Sequence, residues 1–113
     1  MLRDEATLLD IVQATRRALR YTAGVEYPSF LKQEEKRWAV YSQIVIIGEA
    51  ARRLSQGFQD SNPNVPWAQV KGMRIRLVHE YDQVSWERVW ETVAKDLPQP
   101  LTWLEPLLPE EQP

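Results

Sequence analysis

Apolar residues recur at helical spacing along most of this 113-residue chain, and no segment shows the strict alternation of a half-buried strand. The first such segment runs from Leu2 to about Thr22, and the second from about Glu34 to Ser55. Amphipathic segments of this length bury one face against other helices. The sequence therefore predicts a single all-α domain over residues 1–113, with a frayed tail from about residue 109.

Two further helices are predicted in the C-terminal half. A third long helix is expected to start near Pro66, because proline is tolerated at a helix N-terminus, and to continue towards residue 79. A fourth should start at Trp86 after the N-cap Ser85, and resume beyond a kink at the prolines that follow Asp96. The simplest architecture is an antiparallel, up-and-down bundle of four main helices with a kinked C-terminal helix.

Turn-forming residues separate these segments. Gly24 is expected to end the first helix, and the Tyr-Pro-Ser sequence of residues 27–29 predicts a turn. Gly57 is expected to end the second helix, and the Asn- and Pro-rich residues 60–66 predict a loop.

Composition excludes several classes of protein. The formal charge of −2 argues against a surface coated with positive charge, although it allows a small basic site. There is no cysteine and one histidine, so a thiolate metal site is excluded and a zinc site is disfavoured; we expect neither a metal nor a cofactor. The longest apolar run, residues 44–48, is far shorter than the roughly 20 residues of a membrane span, and the expected location is the cytoplasm.

The stretch of residues 72–81 contains the residues best suited to catalysis. It includes the single histidine, His79, with Arg74 and Arg76 upstream and Tyr81 downstream. Histidine exchanges protons near neutral pH, and the planar guanidinium of arginine matches phosphate oxygens. Arginine together with histidine suggests phosphodiester chemistry.

The spacing of these residues restricts how they can meet. On a continuous helix Arg74 and His79 would lie roughly 140° apart, whereas Arg74 and Tyr81 would lie within about 20° of each other. All three can converge only if the helix ends near His79, if the long arginine bends round, or if a second chain supplies part of the site. We favour a helix end combined with a dimer.

A patch of small residues, Gly48-Glu49-Ala50-Ala51, lies within the predicted second helix. Its glycine and alanines permit close approach of another helix. Glu49 is expected to face either solvent or the arginines of the 72–81 stretch. A structural alternative for that stretch is a local polar network, because Arg76 and Glu80 are four residues apart.

Several short motifs in one order carry a family resemblance. They are IIGEAA at residues 46–51, Pro66-Trp67, Gly72-Met73-Arg74, Leu77-Val78-His79, Tyr81, Val89-Trp90 and Asp96-Leu97-Pro98. Over about residues 9–98 the chain resembles the HepT-like family of the HEPN superfamily.

The resemblance implies an HEPN-like helical domain that dimerises and acts as a metal-independent ribonuclease toxin of a type II or type VII-like toxin–antitoxin system. The family motif Arg-x4-His-x-Tyr falls on Arg74, His79 and Tyr81, of which the first two are the implied catalytic residues. The implied partners are RNA and a minimal nucleotidyltransferase antitoxin that transfers AMP to Tyr81, in a dimer or a higher assembly with the antitoxin. Arg76 and Glu49 are candidates for supporting roles.

One residue departs from the family pattern. Ile75 occupies a position that is usually polar and commonly asparagine. The alternative interpretation is therefore a noncatalytic HEPN dimer that binds nucleotide or RNA, or that acts as a scaffold for the nucleotidyltransferase. An enzyme for small phosphorylated molecules has little support, because the chain contains no glycine-rich phosphate loop.

The aromatic residues suggest a weaker hypothesis. Trp38 and Trp103 are candidates for stacking on RNA bases. Single aromatic residues without a basic groove are weak evidence for such binding, and most of the five tryptophans are expected in the core or in an interface.

Overall fold

The computed structural model describes residues 2–77 and 83–109, which form α-helices and no β-strand. The helices are α1 (Leu2–Thr22), α2 (Tyr27–Lys32), α3 (Glu34–Arg53), α4 (Gln56–Ser61), α5 (Trp67–Lys71), α6 (Trp86–Glu91) and α7 (Pro98–Leu104). A π-helical turn covers Thr92–Asp96, and 3₁₀ turns cover Ile75–Leu77 and Glu105–Leu107. The predicted all-α, HEPN-like class is confirmed.

The two long helices, α1 and α3, are antiparallel. Near the start of α1, the Asp4 carboxylate accepts hydrogen bonds from Ser55, which lies just beyond the end of α3. At the opposite end, the Lys36 ammonium near the start of α3 donates to the Tyr21 carbonyl near the end of α1, at 2.8 Å. The two helices are thus tied at both ends, with the core packed along their contact.

The core consists of aliphatic side chains from α1 and α3, completed by buried apolar residues from α2, α5, α6 and α7 and from the segments between the helices. Helix α7 packs back against α1, where Arg16 forms an exposed salt bridge with Glu105 at 2.5 Å. The largest fully buried side chains are Phe30, Leu8, Ile11, Ile44, Ile47, Met73, Leu77, Leu97, Leu104, Val12, Val40 and Val70.

Two of the predicted connections contain helices. Residues 27–32 form α2 instead of a turn, since Pro28 lies in the first helical turn, where a missing N–H costs no hydrogen bond. Gly57 lies inside α4 and does not end the second helix. That helix ends at Arg53, and Ser55 begins α4 by accepting a hydrogen bond from the Phe58 N–H at 3.1 Å. Gly24 has a φ of 72°, as expected after α1.

The third helix is much shorter than predicted. Helix α5 begins after Pro66, as expected, but ends at Lys71, where the Gly72 N–H donates to the Ala68 carbonyl at 3.0 Å. The prediction that this helix reaches the neighbourhood of residue 79 is wrong. Arg74 therefore lies in a turn.

The predicted interruption of the C-terminal helix is present. Ser85 is the N-cap of α6 and accepts from the Arg88 N–H at 3.3 Å. After α6 the Leu97 N–H bonds five residues back to the Thr92 carbonyl at 3.0 Å, which gives a π turn. The next helix then begins at Pro98, and the widened turn separates it from α6.

No helix in the described residues combines the length and the apolar character that crossing a membrane requires. The single-domain organisation over residues 1–113 and the cytoplasmic location stay predictions.

The Asp4–Ser55 contact gives the fold a testable pH dependence. Asp4 is 5% exposed, and its carboxylate accepts from the Ser55 hydroxyl at 2.6 Å and from the Ser55 N–H at 2.9 Å. These two hydrogen bonds hold the pKa of Asp4 below its ordinary value of 3.8, and the one from the Ser55 hydroxyl has the larger effect. The stabilisation is thus fully present above that value and is lost as the pH falls through the lower pKa of the folded state.

We expect Asp4→Asn to lower the melting temperature at pH 7, and the difference from wild type to shrink as the pH falls below about 4. Thermal unfolding followed by circular dichroism between pH 2.5 and 7 measures both effects. The matched control is Asp10→Asn on the exposed side of the same helix, which should change the melting temperature little. An equal loss in both variants would contradict this account of Asp4.

Candidate functional site

Arg74 is held at the surface between two anchored neighbours. Met73 and Leu77 are fully buried, whereas the Arg74 side chain is 38% exposed and Ile75 is 66% exposed. Burial of Met73 and Leu77 fixes the backbone on both sides of the arginine. The guanidinium is thereby presented on a short, packed turn that begins where α5 ends.

The glycine of the small-residue patch allows this turn to lie against α3. A Cβ atom at Gly48 would stand 3.3 Å from the Lys71 carbonyl oxygen and 3.5 Å from both Cγ and Cδ of Arg74. The sequence predicted close approach at this patch. The structure shows that the approaching groups are the end of α5 and the aliphatic part of Arg74.

Glu49 forms an ion pair with Arg74. Glu49 Oε1 lies 2.7 Å from Arg74 Nε, and the two side chains are 43% and 38% exposed. The Nε atom is itself buried and makes no aligned hydrogen bond, so the contact is electrostatic at this geometry. Of the two orientations open to Glu49 from the sequence, the structure shows the one that faces an arginine of the 72–81 stretch.

The remaining predicted site residues are described only in part. The backbone of Arg76 lies in the 3₁₀ turn Ile75–Leu77, whereas His79 and Tyr81 lie outside the described residues, as does Glu80 of the alternative polar network. The chain is described again from residue 83, and the Ser85 N–H donates to the Leu77 carbonyl at 2.7 Å. The catalytic, binding and modification roles stay predictions.

The expected helix end is present, but it comes earlier than predicted. Because α5 ends at Lys71, the angles of a continuous helix do not apply between Arg74 and the residues that follow. A helix end was one of the three conditions under which the motif side chains could converge. That condition was a helix end near His79, and the observed end at Lys71 is eight residues earlier, so convergence of the three side chains stays a prediction.

The structure contains an aromatic cluster that was not predicted from the sequence. Trp38, which is 47% exposed, meets Tyr41 and Trp86 edge to face, with ring centroids 5.7 and 4.9 Å apart. The Arg37 guanidinium lies 5.1 Å from the centroid of the Trp86 ring. The i, i+3 spacing of Trp38 and Tyr41 was the available signal. Trp103, by contrast, is partly buried against the core.

Within the described residues, no group of three or more His, Cys, Asp or Glu side chains is arranged to hold a metal ion. The absence of a metal from the reaction stays a prediction.

Comparison with known protein families identifies the class of protein to which this helical chain belongs. The family model of the HepT-like ribonucleases matches residues 11–106. That match covers most of the chain, and the chain belongs to the HepT-like ribonuclease family.

Individual relatives agree with this assignment. A provisionally named RNase of Methanocaldococcus jannaschii is 33% identical over 94 residues, which cover 83% of this chain and 86% of the relative. A provisionally named RNase of Caldanaerobacter subterraneus subsp. tengcongensis is 33% identical over 79% of this chain and 80% of its own length. A protein of Thermococcus cleftensis, provisionally named ribonuclease HepT, is 32% identical over 80% of this chain and 83% of its own. No solved structure matches the chain significantly.

Proposed function

We propose that this chain is a metal-independent endoribonuclease that acts as the toxin of a toxin–antitoxin system. The observation that carries the proposal is the placement of Arg74 in a member of a ribonuclease family. Its guanidinium is partly exposed on a packed turn five residues before His79. A fixed, always charged group at the surface is suited to a phosphate in RNA.

Cleavage would use the 2′-hydroxyl of the RNA itself. The 2′-oxygen attacks the adjacent phosphorus while the bond from phosphorus to the 5′-oxygen breaks, which leaves a 2′,3′-cyclic phosphate and a 5′-hydroxyl. A base accepts the proton of the 2′-hydroxyl, and an acid gives a proton to the departing 5′-oxygen. Arg74 would stabilise the additional negative charge on the pentavalent phosphate.

The single histidine of each chain explains why the active form should be a dimer. Two proton-transfer groups are needed in one cleavage step, and the chain has a single histidine, the residue type whose unperturbed pKa lies near neutrality. Two His79 side chains facing each other across a twofold axis would act as base and acid. Tyr81 would position the RNA by hydrogen bonding or stacking.

We infer that exposed apolar residues beside the Arg74–Glu49 pair form part of the dimer surface. Ile75, which follows Arg74, is 66% exposed, and Ile46, almost one helical turn before Glu49, is 37% exposed. Single exposed apolar residues are common, but Ile75 adjoins Arg74 in sequence and Ile46 lies three residues before Glu49 on α3. On this interpretation Ile75 replaces a polar residue because it packs against the second copy.

We expect Ile75→Asp to raise the dimer dissociation constant at least about tenfold, equivalent to 1.4 kcal/mol, because it places a charge in an apolar contact. RNA cleavage should fall in parallel, while the fold is retained because Ile75 is exposed. Sedimentation velocity and a cleavage assay measure the two quantities. Leu31→Asp, at an apolar residue of α2 that is 37% exposed and is not part of the proposed surface, is the control. A variant that stays dimeric would exclude this surface.

A minimal nucleotidyltransferase is the proposed antitoxin. It would join the Tyr81 oxygen to the α-phosphorus of ATP, with release of pyrophosphate and of the phenolic proton. The attached AMP brings negative charge and bulk into a site built for a phosphate, which blocks RNA by repulsion and occlusion. Coexpression should add the mass of one AMP to the wild-type chain and leave Tyr81→Phe unmodified.

The rival function is a noncatalytic dimer that binds RNA or nucleotide, or that serves as a scaffold for the nucleotidyltransferase. The observation that favours it is Ile75 in a usually polar position. Expression in the absence of the antitoxin separates the two functions. A toxin should arrest growth, and His79→Ala should relieve the arrest at equal soluble expression. A binding protein or scaffold should be harmless in both forms.

A further inference from the structure

We propose that Glu49 is a positioning residue, which fixes the guanidinium of Arg74 by its Nε side so that the other edge faces the phosphate. The inference rests on the proposed function, and it assigns to Glu49 a specific role that neither the motif nor the family assignment supplies. Its basis is the contact of 2.7 Å between Glu49 Oε1 and Arg74 Nε.

Two neighbouring residues of α3 constrain the arginine together. The backbone at Gly48 lies against the Arg74 stem, because a Cβ there would be 3.5 Å from its Cγ and Cδ atoms. Glu49 then holds the start of the guanidinium group. An arginine side chain has four rotatable bonds, and contacts at both the stem and Nε select one direction for the remaining nitrogens.

The choice of Nε matters for chemistry. Arginine binds phosphate most specifically through paired parallel hydrogen bonds from its planar fork. An ion pair at Nε leaves the edge formed by the two Nη groups outside the contact with Glu49. The Glu49 carboxylate thus orients the guanidinium through Nε and leaves N–H donors of the Nη groups for the phosphate.

A role in stability does not explain the pair. Both side chains are about 40% exposed, and ion pairs at such exposed places contribute little to the free energy of folding. A carboxylate beside a phosphate site also repels RNA, so Glu49 does not increase the affinity of the protein for RNA. Improved orientation of Arg74 in the transition state is the benefit that offsets this repulsion.

The test compares Glu49→Gln with Glu35→Gln, an exposed carboxylate on the same helix roughly 20 Å away along its axis. Both changes remove one negative charge. We expect Glu49→Gln to lower kcat for RNA cleavage about 10- to 100-fold with KM unchanged or lower, and Glu35→Gln to leave kcat unchanged. In an Arg74→Ala background, Glu49→Gln should have no further effect, because it acts through the arginine.

Three kinetic outcomes overturn the proposal. Equal changes of kcat in the two glutamine variants would show that Glu49 acts only as a general surface charge. Faster cleavage by Glu49→Gln would mean that the carboxylate shields Arg74. An undiminished loss in the Arg74→Ala background would mean that Glu49 acts independently of the arginine.

A second measurement does not depend on cleavage. In ¹⁵N relaxation measurements the Nε–H group of Arg74 should be rigid, with a high order parameter, in the wild type and in Glu35→Gln, and clearly more mobile in Glu49→Gln. If wild type cleaves no RNA yet shows this difference, the proposed function fails while the positioning of Arg74 stands. Equal order parameters in all three proteins overturn the positioning role whatever the activity.

Discussion

Replacing Arg74 with alanine is expected to lower kcat for RNA cleavage by about 10²- to 10³-fold, the usual effect of removing one group that stabilises transition-state charge. The fold should survive, because the side chain is partly exposed and the anchors of its turn, Met73 and Leu77, are unchanged. Single-turnover cleavage and circular dichroism measure the two properties. Arg74→Lys should lie between wild type and alanine, since lysine keeps the charge without the planar fork.

The control for this variant is Arg53→Ala. Arg53 is an exposed arginine of α3, one helical turn beyond Glu49, and its removal changes the net charge equally. If Arg53 contacts RNA at all, its loss should weaken binding and leave kcat largely intact. Equal losses of kcat in the two alanine variants would show that Arg74 supplies general positive charge, contrary to the mechanism proposed.

Mixing subunits is expected to show that both His79 side chains serve the same cleavage event. His79→Ala should itself lower cleavage about 10²- to 10⁴-fold, the usual contribution of a general acid or base. If wild-type and His79→Ala subunits reassociate randomly in equal amounts, about a quarter of the dimers retain two histidines. Activity per total dimer should fall to about that quarter, whereas independent sites would keep about half.

The same mixing with Glu35→Gln subunits controls for losses during dissociation and reassociation. Because Glu35 is exposed on α3 and has no proposed role, activity should be unchanged at every ratio. A linear decline with the His79→Ala fraction would contradict the two-histidine mechanism. Activity in a strictly monomeric preparation would contradict it as well.

The long helices were predictable because their signals are local. The bounds of α1 coincide with the predicted Leu2–Thr22, and α3 differs from its prediction by two residues at its end. Each has an apolar stripe long enough to define its period, although the stop expected for the second helix, Gly57, lies inside α4. Ser85 was likewise predictable as an N-cap because its hydroxyl acts within its own helical turn.

Helix α4 and the early end of α5 were not predictable because contacts distant in sequence select them. Helix α4 starts at Ser55, whose backbone and hydroxyl are held by Asp4, 51 residues earlier. The early end of α5 brings the Lys71 carbonyl and the Arg74 stem onto Gly48 of α3. Intrinsic propensity is a weak guide when such tertiary contacts decide where a helix ends.

Residue types indicated the candidate site better than spacing did. Arg74 and Glu49 were selected for their charge, and the sequence left open whether Glu49 faces solvent or an arginine. The structure shows the latter at 2.7 Å. The angular argument assumed a continuous helix, which α5 does not provide. His79 and Tyr81 rest on their chemistry and on the family motif.

The central claim is cleavage of RNA by the chain's own side chains without a metal. The most direct test uses purified dimer whose mass shows that Tyr81 is unmodified. The dimer is incubated with RNA in excess EDTA, and the ends of the products are analysed. We predict cleavage that yields 2′,3′-cyclic phosphate and 5′-hydroxyl ends. A 2′-deoxy substitution at the cut position should block it, and the folded variants Arg74→Ala and His79→Ala should not cleave. Cleavage that requires a divalent cation, or that persists in both variants, would contradict it.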